Sequence, residues 1–161
     1  MNNAGVAERA PFEETDEKLF DHHFDLNVKG LFFTSQKALP RLRDNGRIVN
    51  ISSVVARQAF DGISAYAATK GAVNTFTLYL ASIAGKRGIT VNAVAPGAID
   101  TDMNAAWLAQ PGAEDQIKSQ QILKRIGQSE DIAGAVLALV LPESGWITAQ
   151  IVEASGGSRI A

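Results

Sequence analysis

Tyr66 and Lys70 stand four residues apart in Tyr66-Ala67-Ala68-Thr69-Lys70, within a stretch from Ser64 to Ala84 that reads as one helix. Residues at that spacing share a helix face, so the Lys70 ammonium can lie near the Tyr66 phenol. A free phenol titrates near pH ~10 and relays protons poorly at neutral pH, whereas a fixed cation favours the phenolate and lowers that value. The pair is a candidate general acid or base. Ser53 adds a second hydroxyl, 13 positions before Tyr66 and just past the β-branched run Arg47-Ile48-Val49-Asn50-Ile51-Ser52. Open parallel sheets bind ligands at the carboxyl ends of their strands, and a serine there can donate a hydrogen bond to a substrate carbonyl. Each feature alone also has a plainer reading, a surface Tyr/Lys pair and a serine turn that closes a strand.

Other polar residues point elsewhere. His22 and His23 are neighbours on a helix, face different sides and lack Asp, Glu or Cys partners at ligand spacing, so they read as surface or core residues and no metal site is expected. Asp100 and Asp102 read as loop or cap residues rather than a paired acid site. Cysteine is absent, which excludes disulfides, thiolate zinc sites and Cys nucleophiles.

The elements that must position these groups belong to a chain of 161 residues, 46% hydrophobic and 20% charged, read as a single domain over 1–161. Its 15 Lys+Arg against 17 Asp+Glu leave a net charge of −2, so neither a nucleic-acid surface nor a polybasic membrane patch is expected, and a small-molecule or protein partner is. No apolar run reaches the ~20 residues of a membrane span, and Met1-Asn2-Asn3-Ala4-Gly5 is no secretion signal, which places the chain in the cytoplasm by default.

Thr15 before Asp16-Glu17 predicts a helix start, and Leu19, Phe20, Phe24, Leu26, Val28, Leu31, Phe32 and Phe33 continue a broken helical spacing toward Pro40, loosened at Gly30. The Ser64–Ala84 helix should stop at Gly85 in a left-handed cap. Ile89 to Ala95 reads as a strand closed by Pro96-Gly97, Ser129-Glu130-Asp131 caps a helix from Ile132 to Leu141, and Gln150 to Glu153 is a weak last strand. Such alternation predicts an α/β fold, a parallel sheet with helices on both faces. Thr101 to Ser129 breaks the pattern and reads as a lid, with Met103, Trp107 and Leu108 either shielding an apolar substrate or simply anchoring the lid.

Six ordered segments resemble the short-chain dehydrogenase/reductase family along essentially the whole chain. They are Asn3-Ala4-Gly5, Leu26-Asn27-Val28, Ile48 to Ser53, Tyr66-x-x-x-Lys70, Val91 to Gly97 with Thr101, and the tail from Trp146 to Gly157. Asn27-Val28-Lys29-Gly30 and Thr90 to Met103 look closest to the β-ketoacyl carrier-protein reductase-like members. The resemblance implies a partial Rossmann-like, doubly wound sheet and an oxidoreductase interconverting a secondary alcohol and a ketone with NAD or NADP. It assigns catalysis to Asn27, Ser53, Tyr66 and Lys70. Tyr66 would pass the proton, Ser53 would polarise the carbonyl, and Lys70 would tune the tyrosine and hold the nicotinamide ribose. Asn27 would position a water linking Lys70 to solvent. Asn3, Ala4 and Gly5 would border the cofactor, with Gly5 on the adenosine side. Pro96, Gly97, Ile99 and Thr101 would cradle the nicotinamide end, Thr101 bonding its carboxamide or a phosphate. Residues 102–126 would form the substrate lid, and a homodimer or homotetramer is implied.

Departures accompany the match. The family's glycine-rich turn, which holds the cofactor pyrophosphate at a helix N-terminus, has no counterpart in these 161 residues; about three βα units, some ~80 to 90 residues at ~30 each, would precede this stretch. The chain is then expected either as an enzyme seen without that front part or as an inactive paralogue that survives as an oligomerisation module. Ala149 stands where the family usually has glycine, and Ser155 where aspartate is common.

Overall fold

Three parallel strands carry the site. β1 (Arg47–Ile51), β2 (Thr90–Pro96) and β3 (Ile151–Ala154) lie side by side in that order in a computed structural model that describes residues 1–158. Arg47 to Ile51 pair in register with Thr90 to Val94, and Ala93 to Pro96 with Ile151 to Ala154. The middle strand is buried from Thr90 to Ala95, as expected for a parallel strand covered on both faces. Alternate side chains divide between those faces. Ile48 and Val91 pack with Leu80, Ala81 and Ala84 of α3 (Ser64–Ala84). Val49 and Val94 pack with Leu139 of α6 (Ser129–Val140) and with Ile132, Val136 and Val152 around it. The α/β class and the two helical layers read from the sequence are those of the structure.

Two asparagines buried in the strands have both the nitrogen and the oxygen of their side chains hydrogen-bonded, which offsets their desolvation. Asn50 donates to Thr77 Oγ1 at 2.9 Å and accepts from Asn2 Nδ2 at 2.8 Å. Asn92 donates to the Ile147 carbonyl at 2.8 Å and accepts from the Gln150 amide at 3.0 Å.

Several boundaries move from their expected places, each for a local reason. Asp16, not Thr15, caps α1 (Glu17–Phe24), accepting from the Leu19 amide at 2.8 Å. The Thr15 hydroxyl instead donates back to the Pro11 carbonyl at 3.0 Å. The loosening expected near Gly30 is a π-helical turn, Asp25–Gly30, which joins α1 to α2 (Leu31–Ala38) without a break. Gly85 keeps a right-handed φ of −60° and opens a further tight turn, so the left-handed position falls at Gly88, φ 66°. Gln128 rather than Ser129 caps α6, in a reciprocal box with Asp131, whose carboxylate accepts from the Gln128 amide at 2.7 Å. β3 begins and ends one residue later than read. The segment expected as a lid contains two helices, α4 (Asp102–Leu108) and α5 (Ala113–Gln120), separated by Gly112 at φ 79°. Its far end is tied to the tail, because the Ile122 and Leu123 amides donate to the Gly157 and Gly156 carbonyls at 3.1 and 2.8 Å. No described helix is long and apolar enough to cross a membrane.

Candidate active site

Ser53 sits where β1 runs out, held against the neighbouring strand by the Ser52 amide, which donates to the Val94 carbonyl at 2.7 Å. Its hydroxyl lies near enough to the Tyr66 phenol to favour the ionised form of that phenol. Lys70 follows one turn along α3 with its Nζ 5.4 Å from the centre of the Tyr66 ring. Serine, tyrosine and lysine, separated in sequence, thus meet at the carboxyl end of the sheet.

The electrostatics differ from the sequence expectation. Lys70 is only 5% exposed, and no ion pair among the described residues includes it. Its Nζ donates to the Ile51 carbonyl at 2.8 Å, and burial holds its pKa down to about 8. Burial also raises the Tyr66 phenol, an effect only partly opposed by the Ser53 hydroxyl. Lys70 therefore does not lower the Tyr66 value in this geometry. Its charge is turned toward the end of β1 and lies over the ring, away from direct contact with the hydroxyl.

Asn27 lies inside the π-helical turn and is 2% exposed. Its Oδ1 accepts from the Val6 amide at 2.9 Å, and its Nδ2 donates to the Val6 carbonyl at 2.9 Å and to Thr69 Oγ1 at 3.1 Å. A π turn adds one residue to the helical circuit, which re-aims a side chain that regular spacing would place elsewhere. Thr69 in turn donates to the Tyr66 carbonyl at 2.7 Å, so Asn27 is joined to α3 through it. Gly5 closes the cluster: a β-carbon there would come 3.1 Å from Asn27 Oδ1 and 3.7 Å from Lys70 Nζ. Asn2 adds itself to the outer edge of β1, its amide donating to the Val49 carbonyl at 2.8 Å and its carbonyl accepting from Ile51 at 3.0 Å. Asn3 and Ala4, beyond it, are exposed.

The second group of expected cofactor residues follows β2. Pro96 ends the strand. Gly97 lies so close to the tail that an added β-carbon would meet Ser155 Cβ at 2.9 Å, so a side chain is excluded there by the protein's own packing. Ile99 is buried, and its carbonyl accepts from Asn104 Nδ2 at 2.9 Å. Thr101 precedes α4 in an extended conformation without a side-chain cap bond, which leaves its hydroxyl available. One contributor, Thr69, was not singled out beforehand; it could have been found from its position three residues after Tyr66, where a threonine hydroxyl returns to a main-chain carbonyl.

A nicotinamide ribose fits this donor set. Lys70 has one protein acceptor for its three N–H groups and no anion among the described residues, and its Nζ lies over the Tyr66 ring. The glycine at position 5 keeps the floor over Asn27 and Lys70 free of a side chain.

The chain belongs to the short-chain dehydrogenase/reductase family: a family described as Enoyl-(Acyl carrier protein) reductase matches residues 1–159. An uncharacterized oxidoreductase of Methylorubrum extorquens is 39% identical over 160 residues, which are 99% of this chain and 64% of that protein. The solved short-chain dehydrogenase/reductase of Serratia marcescens superposes with a TM-score of 0.90 at 39% identity, over 97% of this chain and 63% of that one. The angucycline C-6 ketoreductase LanV, solved with bound NADP, gives a TM-score of 0.91 at 35% identity, over 97% of this chain and 60% of that one. The chain thus spans a little under two thirds of the length of these relatives.

Proposed function

We propose that this chain carries the proton-transfer half of an NAD- or NADP-dependent oxidoreductase that interconverts a secondary alcohol and a ketone. The observation that carries the reading is the convergence of Ser53, Tyr66 and the buried, anion-free Lys70 at the carboxyl end of a parallel sheet. The nicotinamide supplies or accepts the hydride when bound. In the reducing direction Ser53 donates a hydrogen bond to the substrate carbonyl, and Tyr66 gives its phenolic proton to the oxygen as negative charge develops there. Lys70 holds the ribose hydroxyls with its unused N–H groups. Asn27 and Thr69 fix the backbone around Tyr66. Pro96, Ile99 and Thr101 border the nicotinamide end, and α4 and α5 cover the substrate. The NADP bound to the ketoreductase LanV supports this class of cofactor.

Self-association belongs to the same proposal. Phe20, Phe33, Leu78, Tyr79 and Ile83 of α1, α2 and α3 are exposed, and an apolar surface on this scale is characteristic of subunit contacts.

NADPH should bind the 161-residue chain more weakly than micromolar, because the glycine-rich pyrophosphate turn is not among its residues; a fluorescence titration checks this, and micromolar affinity would contradict it. The reading itself is tested by following NADPH and NADH oxidation with a panel of ketones at saturating cofactor. Ketone-dependent turnover is expected. Complete inertness with every ketone and alcohol would favour the inactive, associating paralogue.

A further inference from the structure

We infer that His23 is a positioning residue of this site, a neutral imidazole that pins the Gly5–Glu8 loop over Lys70 and Asn27 and backs the Tyr66 ring. His23 is 0% exposed. Its Nδ1 lies 2.8 Å from the Leu19 carbonyl, and its Nε2 takes the Glu8 amide at 3.0 Å. A peptide carbonyl only accepts and a peptide N–H only donates, so these partners admit one state of the ring, a proton on Nδ1 and a lone pair on Nε2. The ring centre is 6.3 Å from that of Tyr66, with the planes inclined at 58°.

Asn27 stands four residues later, one helical turn on, and holds both main-chain groups of Val6. These two side chains thus supply three hydrogen bonds to two residues of the loop, Val6 and Glu8. Among the described residues the main-chain groups of Val6 to Glu8 have no main-chain partner. His22 grips the same loop from outside, its Nε2 3.2 Å from the Glu8 carboxylate. Both of its groups are more than half exposed, which makes that contact weak. Gly5, directly before this segment, is the residue packed against Asn27 and Lys70. Releasing Glu8 therefore loosens the floor that keeps water from Lys70, while the chemistry-bearing groups stay on α3 and β1.

The inference rests on the proposed reaction for its consequence but not for its geometry, and the test separates the two. His23→Phe keeps a ring against Tyr66 and removes the acceptor; His23→Gln returns a side-chain oxygen within reach of the Glu8 amide. In His23→Phe, amide exchange followed by NMR in the 161-residue chain should quicken about tenfold at Glu8 while the amides of α3 are unchanged. The KM for NADPH should rise about tenfold with a smaller fall in kcat, and His23→Gln should restore both most of the way. An unchanged Glu8 exchange rate overturns the inference, as does a loss that His23→Gln leaves in place. Should His23→Phe not fold, the nitrogen shifts of the wild-type ring decide: Nδ1–H supports the pin, and Nε2–H or a doubly protonated ring at neutral pH refutes it. A wild-type chain that oxidises no NADPH counts against the enzymatic reading alone, since the exchange arm needs no turnover.

Discussion

Burying an ammonium without an anion is expensive, and Lys70 shows where the protein tolerates that penalty. The folded chain gives up the Lys70 proton near pH 8, against 10.5 for the exposed side chain. Between those values the unfolded state binds more protons, so folding stability should rise as the pH is raised from about 8 toward 10.5, and the charged form weighs against the fold below that window. Lys70→Met should therefore stabilise the chain at neutral pH by up to about 3 kcal/mol, while removing the group proposed to hold the ribose. Urea midpoints of the two proteins at pH 7 check this; equal or lower stability of Lys70→Met would contradict it. The meeting of Tyr66, Lys70 and Ser53 was legible because the first two share a face of α3 and the third lies just past the end of β1, where spacing fixes their relative places. What spacing does not give is the direction of a long side chain. Lys70 turns to the Ile51 carbonyl at the end of a strand, and the partner of His23 is a loop amide.

The strands and the long helix α3 were legible to within a residue or two, the two short helices of the lid segment were not, and the misplaced helix starts trace to caps. Thr15 and Asp16 are both good N-cap types, whereas Gln128 displaces the better cap type Ser129 through its reciprocal box with Asp131, and the tertiary path of the entering chain chooses in each case. One position carries strain that sequence comparison alone could not weigh. Ala149 takes φ 60°, in the left-handed region, where its amide donates to the Val91 carbonyl at 2.8 Å and so starts the pairing of β3 beside β2. A β-carbon in that conformation costs about 1 kcal/mol relative to glycine. Ala149→Gly should therefore raise stability by about 1 kcal/mol, and Ala149→Val should lower it. Thermal or urea unfolding of the pair measures the difference, and destabilisation by the glycine would show that the strain is not there.

The whole molecule presents more apolar surface than its three-stranded sheet uses. Tyr79 is 70% and Ile83 58% exposed on α3, and Trp146 is 98% exposed beyond the end of α6. Along the outer edge of β1 only Asn2 pairs with the strand among the described residues. Free strand edges and wide apolar faces both favour association. Sedimentation at micromolar concentration should show dimers or larger species, weakened by Ile83→Glu; a strictly monomeric chain would contradict this. The alternation of helical and strand segments announced the α/β class and the six ordered segments announced the family, yet the size of this uncovered face could be read only once the helices were placed on the sheet.

The proton step through Tyr66 is the claim on which the account turns, and Tyr66→Phe tests it most directly. Measured beside the wild type as ketone-dependent oxidation of saturating NADPH, with circular dichroism to verify the fold, the variant should lose turnover by about a thousandfold. Turnover by Tyr66→Phe within about tenfold of the wild type would remove the phenol from the reaction.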